Sequence, residues 1–221
     1  GPAITISFIL AAIVCSTSAL CYAEFSSALP VAGSAYSFGN VIFGELIGWI
    51  LGWALILEYM LAVAAVATGW ASYFNSFIAG FGIHIPKAVS GPFNPSQGTY
   101  VNLTAILIVL FISFLLSRGV QASIRLNNIM VYLKIAIILL FVIVGAFFVK
   151  PANWNPYMPF GIKGVFTGAS TVFFAYLGFD VIASSAAEVK NPKRSMPAGI
   201  LGTLSITTVL YIAVAAVLTG M

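Results

Sequence analysis

Six blocks of nearly unbroken apolar residues alternate with shorter polar stretches along the chain, at residues 4–24, 43–78, 101–117, 128–149, 165–186 and 198–219. A helix needs about 20 apolar residues to cross the hydrocarbon of a bilayer, and each block approaches or exceeds that length. The pattern predicts six transmembrane helices, an all-α polytopic membrane bundle. The second block is too long for a perpendicular span and predicts a helix that tilts or runs past the bilayer. Between the first two blocks, Pro30 and Gly33 predict a turn.

The fifth block differs from the others. It carries an aspartate, Asp180, among Phe173, Phe174, Tyr176 and two glycines, Gly168 and Gly178. An ionisable group in hydrocarbon is costly and faces a cavity or a partner. Glycine beside it lets a helix loosen, and irregular backbone at that depth persists only where it lines a pocket or is buried in protein. The block therefore predicts a discontinuous helix near 165–186, the arrangement with which secondary transporters hold a solute at mid-membrane.

The polar stretches set the orientation. Residues 117–127 and 188–197 hold Arg118, Arg125, Lys190, Lys193 and Arg194, and fall on one side. Residues 84–100 and 150–163 hold Lys87, Lys150 and Lys163, and fall on the other. The excess of basic residues places the first pair in the cytoplasm, with the Pro30–Gly33 turn, and the start of the chain outside.

Composition agrees. The sequence is 61% hydrophobic and 6% charged, whereas soluble domains carry about 25% charged residues. The net charge of +4 sits in the loops and implies no nucleic acid. Cys15 and Cys21, six residues apart in one apolar block, point to different helix faces and predict no disulfide framework. A single histidine, His84, excludes a His-based metal cluster, and no motif implies a cofactor. Nucleophile-elbow, zinc-protease and phosphate-loop patterns are not met, which argues against an enzyme.

Other candidates come from the remaining blocks. Gly44, Gly48 and Gly52 recur every fourth residue and predict a close helix contact, either within the bundle or in a dimer. Glu58 lies near mid-depth of the second block and suits either a site or structural pairing. Lys134 lies in the fourth block, about 9 Å from the expected start of its helix. A lysine there can snorkel to the surface or, stripped of water, exchange its proton. Asn102-Leu-Thr104 matches a glycosylation acceptor. Lipid is a partner by composition, and a small helical subunit or a homo-oligomer stays open.

Residues 172–197, Val-Phe-Phe-Ala-Tyr-Leu-Gly-Phe-Asp through Ala-Glu-Val-Lys-Asn-Pro-Lys-Arg-Ser-Met-Pro, closely resemble the sixth helix and following loop of amino-acid permeases. The group is the amino acid–polyamine–organocation superfamily, and the fit is best to its cationic amino-acid transporter branch. Gly1-Pro2-Ala3 resembles the junction before that family's second helix, and Leu29-Pro30 through Gly33 and Tyr36 its following turn. Gly44, Trp49, Trp53, Glu58 and Tyr59 resemble its third helix, and Asn127-Asn128 with Lys134 its fifth.

The resemblance implies helices two to seven of a carrier with two inverted five-helix repeats, so that the chain is a piece of a longer protein. It implies proton-coupled transport of an amino-acid substrate, cationic or broad in range, across the cell membrane by alternating access. By the same resemblance the helix breaks at Phe174, Ala175 and Tyr176, whose backbone and rings meet the substrate. Gly178 and Asp180 belong to the same pocket, Glu58 lies near its side-chain end, and Lys134 couples transport to protons. The family often has two glutamates before Val-Lys-Asn-Pro, where this chain has Ala187 and Glu188. An ion channel lined by Asp180 and Glu58, or a non-transporting assembly subunit, is the alternative reading.

Overall fold

The computed structural model describes residues 1–117 and 120–221, of which residues 120–124 are described by backbone alone. Arg118, counted above among the cytoplasmic basic residues, lies outside the described residues. Among the described residues, eight α-helices follow one another: α1 (Ile4–Ala28), α2 (Ser34–Phe43), α3 (Glu45–Ala79), α4 (Leu103–Ser117), α5 (Val120–Ala146), α6 (Gly161–Val172), α7 (Phe179–Ser184) and α8 (Pro192–Gly220). No strand is present among the described residues, and two isolated bridges, Ser90 with Asn102 and Asn94 with Thr99, tie the loop before α4.

Among the described residues, five stretches are long and apolar enough to cross a membrane, including Arg125–Ala146 and the interrupted Gly161–Ser184. The chain is an integral, multi-pass membrane segment. The block at 101–117 yields the 15-residue α4, about 22 Å long, against a hydrocarbon of about 30 Å. Its start is fixed by Asn102, whose side-chain oxygen accepts the Ala105 amide at 3.1 Å, a helix N-cap. α5 and α8 begin earlier than the apolar blocks suggest, since their first turns carry polar residues that hydropathy does not register. Pro192 opens α8, where its missing N–H would lack a partner in any case.

The described residues form two compact units, 1–52 with 133–221, and 53–132. In the first unit, α1 packs against α6, α7 and α8. Ala11, Cys15, Ala19 and Ala23 recur every fourth residue along α1 and are buried with Met196, Ile200 and Leu204 of α8. Small residues on one helix and larger ones on the other let the two backbones approach. α2 is absent from the sequence reading. Gly33, with φ 118°, turns the chain after α1, and α2 then folds back along the start of α3. A β-carbon at Gly48 would stand 2.7 Å from that of Asn40, and one at Gly52 would stand 3.0 Å from the Tyr36 ring. These two glycines serve packing within the chain. Gly44 does not share that face: it has φ 86°, nothing within 4 Å of its β-carbon position, and forms the corner between α2 and α3.

In the second unit, Ala67 and Ala71 of α3 are buried with Ala105 of α4. Thr104 donates to the Asn75 side-chain oxygen at 2.9 Å, and the Asn75 amide donates to the Ser90 carbonyl at 3.2 Å. Both polar residues of the Asn102-Leu-Thr104 triplet are therefore engaged in holding α4 in place.

Candidate functional site

The 24-residue span Gly161–Ser184 is interrupted halfway. α6 ends at Val172, Phe173–Tyr176 tighten into one 3-10 turn, and Leu177 swings to φ −59°, ψ 141°. Gly178, at φ 110°, then restarts the chain as α7. A residue with a β-carbon adopts that backbone only under strain, which explains why glycine stands there. The interruption leaves two helix ends inside a single span, with the last carbonyls of one and the first amides of the other lacking helical partners.

Neighbouring helices supply some of those partners. Tyr211 of α8 donates its hydroxyl hydrogen to the Ala175 carbonyl at 2.8 Å. Tyr176 donates to the Phe8 carbonyl of α1 at 3.1 Å. The three rings form one cluster: Tyr176 and Tyr211 meet edge to face at 5.3 Å, and Phe8 lies 5.3 Å from Tyr211 and 6.4 Å from Tyr176. The break is thus stapled on two sides: Tyr211 reaches its backbone from α8, and its own Tyr176 reaches the backbone of α1.

Above the break, α6 lies close against α1. The Ser7 hydroxyl, fully buried, donates to the Val165 carbonyl at 2.8 Å. A β-carbon at Gly168 would stand 2.7 Å from that hydroxyl oxygen. Below the break, Asp180 is buried in the first turn of α7. Its backbone carbonyl accepts the Ser34 hydroxyl at 3.2 Å, tying α7 to the turn before α2. Phe179 meets the Tyr22 ring edge to face at 5.9 Å.

A cavity of about 240 Å³ opens beside the break. One wall is the stretch Ala175–Phe179 with Ile182, and the other is a face of α8.

The structure brings Phe174, Ala175, Tyr176, Gly178 and Asp180 together in this one segment. Phe174 is exposed, Ala175 offers its carbonyl to Tyr211, Tyr176 is buried and Gly178 makes the turn. Lys134 is exposed on α5. It sits about 14 Å along the helix from Arg125, since the helix begins before residue 128. The contact that ties α5 to α8 lies about three turns further on, where Gly145 meets Val217. Glu58 is half-buried on α3, within the second unit.

Sequence reading did not single out Tyr211, Ser34, Ser7 or Phe8. Tyr211 had a readable signal. Thr203, Thr207 and Tyr211 recur every fourth residue and place three hydroxyl-bearing side chains on one face of an apolar helix.

A family model described as amino acid permease matches residues 1–221. Over its whole length the chain is 57% identical to the methylthioribose transporter of Bacillus subtilis (strain 168) and, over 222 aligned residues, 51% identical to the branched-chain amino acid permease BcaP of the same organism. It is 39% identical to cationic amino acid transporter 4 of Homo sapiens. The chain spans about half the length of the two bacterial proteins, 48% of each, and 36% of the human one.

Proposed function

The chain belongs to the amino acid permease family, and from that membership we propose that it supplies the substrate-gripping broken helix of a secondary carrier that moves amino acids across the cell membrane. The observation that carries this reading is the interruption of Gly161–Ser184 at Phe173–Gly178, in the middle of a span. Lipid provides no hydrogen bonds, so free backbone groups at that depth are tolerated only where they line a cavity or are buried in protein. Here a cavity lies beside them. The Tyr176 carbonyl, with the second lone pairs of the Phe174 and Ala175 carbonyls that already accept the Leu177 amide and the Tyr211 hydroxyl, would suit the ammonium group of an amino acid, an acceptor set for a three-donor cation. Phe174, exposed at the break, would close over the bound solute, and Asp180, two residues past the Gly178 turn, would lie below it.

Coupling is assigned to Lys134. An amine near the middle of a span is costly to keep charged unless a partner or water meets it. Gaining and losing a proton there, as the cavity opens to one side and then the other, would link solute movement to the proton gradient by alternating access. Glu58 belongs to the second unit, so a role at the side-chain end of the pocket stands on the family resemblance.

The test is uptake by the full-length protein in proteoliposomes, with and without an inward proton gradient, over a panel of amino acids. Saturable accumulation that follows the gradient is the expected result. Unsaturable conductance, or no uptake of any amino acid, would refute the reading.

A further inference from the structure

The cavity beside the break is closed on its far side by α8, an element with no part in the grip described above. Thr203, Leu204, Thr207 and Tyr211 form that wall. The three hydroxyl-bearing residues stand one turn apart, so their side chains share one face. Their hydroxyls are not equivalent. Tyr211 is committed to the Ala175 carbonyl. Elsewhere on α8, Thr208 and Thr219 turn back onto the carbonyls of Leu204 and Ala215, four residues earlier. Among the described residues, Thr203 and Thr207 have no such partner, and both line the cavity.

A threonine hydroxyl within a helix that does not point away bonds the carbonyl four residues earlier. Two that forgo this bond while facing a cavity are available to its contents. The rest of the lining is aliphatic, aromatic or glycine, with Leu177, Phe179 and Ile182 opposite the threonines. No carboxylate belongs to it, so a cationic side chain placed there would shed its water without meeting a countercharge. A volume of about 240 Å³ equals about eight waters at ~30 Å³ each, ample for a short side chain.

We infer that Thr203 and Thr207 are specificity-determining residues, and that this cavity receives a neutral side chain of the transported amino acid, with the two hydroxyls binding a polar group on it. Each hydroxyl can donate and accept, so one can serve an acceptor and the other a donor. The inference rests on reading the break as the amino-acid site.

The experiment is uptake of threonine and valine by the full-length protein in proteoliposomes, comparing wild type, Thr203→Val with Thr207→Val, and Thr207→Ser. Valine is close to threonine in shape, so the double variant removes hydroxyls with little change in volume. It should lower the threonine-to-valine ratio about three- to tenfold, the range expected for a lost hydrogen bond, while Thr207→Ser keeps the ratio near wild type. Excess lysine should compete poorly with threonine in the wild type. An unchanged ratio in the double variant, or lysine competing as well as valine, overturns the inference while leaving the grip intact. Absence of amino-acid uptake by the wild type overturns the grip and the inference with it. If the double variant does not reach the membrane, Thr207→Phe, which fills the cavity, must shift selectivity toward alanine and glycine, and an unshifted profile again overturns the inference.

Discussion

The hydroxyl of Tyr211 lies 2.8 Å from the carbonyl oxygen of Ala175, joining α8 to the one turn where the fifth span abandons its helix. Losing that donor leaves a backbone acceptor without its protein partner, at about 1 kcal/mol. Tyr211→Phe keeps the ring and its contacts with Tyr176 and Phe8, so its effect isolates the hydrogen bond. Thermal melting of the purified full-length protein in detergent should fall by a few degrees. Tyr176→Phe, which frees the Phe8 carbonyl, should have a smaller effect, since that carbonyl lies within a continuous helix.

Gly168 and Ser7 form a second coupled pair. A methyl group at Gly168 would stand 2.7 Å from the Ser7 oxygen and push it away from Val165. Gly168→Ala should therefore destabilise by about 1–3 kcal/mol, combining crowding with an orphaned buried carbonyl. Adding Ser7→Ala relieves the crowding, so the double variant should be less destabilised than the sum of the singles. A thermodynamic cycle on the four proteins reads the coupling, and strict additivity would show that the two residues do not act through each other.

Gly178 is constrained by its backbone alone, with φ 110° and no atom within 4 Å of a β-carbon position. Gly178→Ala should lose about 1–2 kcal/mol from the strained conformation, without a steric clash. Uptake should fall along with melting temperature, because relief of strain by re-forming the helix would close the break. Retained uptake with lowered stability would separate the turn from the grip.

Lys134→Ala should abolish accumulation driven by a proton gradient while leaving exchange of labelled for unlabelled substrate. Accumulation assayed at two external pH values distinguishes the outcomes. A variant that accumulates substrate as the wild type does would remove Lys134 from the coupling step.

Among the described residues, five of the six apolar blocks correspond to stretches of membrane-crossing length, because hydrocarbon demands long apolar segments, while the block at 101–117 gives the shorter α4. The break was legible too: Gly178 and Asp180 interrupt an otherwise helical block, and the backbone turns at that glycine. α2 escaped notice because ten residues between two glycines read as a turn, and its helix is held by contact with Gly48 and Gly52 rather than by its own pattern. The early start of α5 was hidden for a related reason, since the polar residues at 120–127 are helical although they do not look like membrane. Thr203 and Thr207 were overlooked because a threonine in an apolar helix ordinarily bonds its own backbone, as Thr208 does. Only the fold reveals which hydroxyls stay unspent.

The loop before α6 ties three helices at one end. Lys150 and Asn153 donate to the Gly220 carbonyl at 2.8 and 2.9 Å, and the Trp154 indole donates to Ala216 at 3.2 Å. A few residues on, the Tyr157 carbonyl accepts the Ala3 amide at 3.1 Å, and its hydroxyl meets that of Thr5 at 2.6 Å. This knot makes a fulcrum: any tilt of α1, α6 or α8 becomes a swing about a shared anchored rim, and displacement grows toward the opposite face. The turn at Gly178, at the far end of α6 from this rim, then works as the elbow of a lever whose shoulder is the loop.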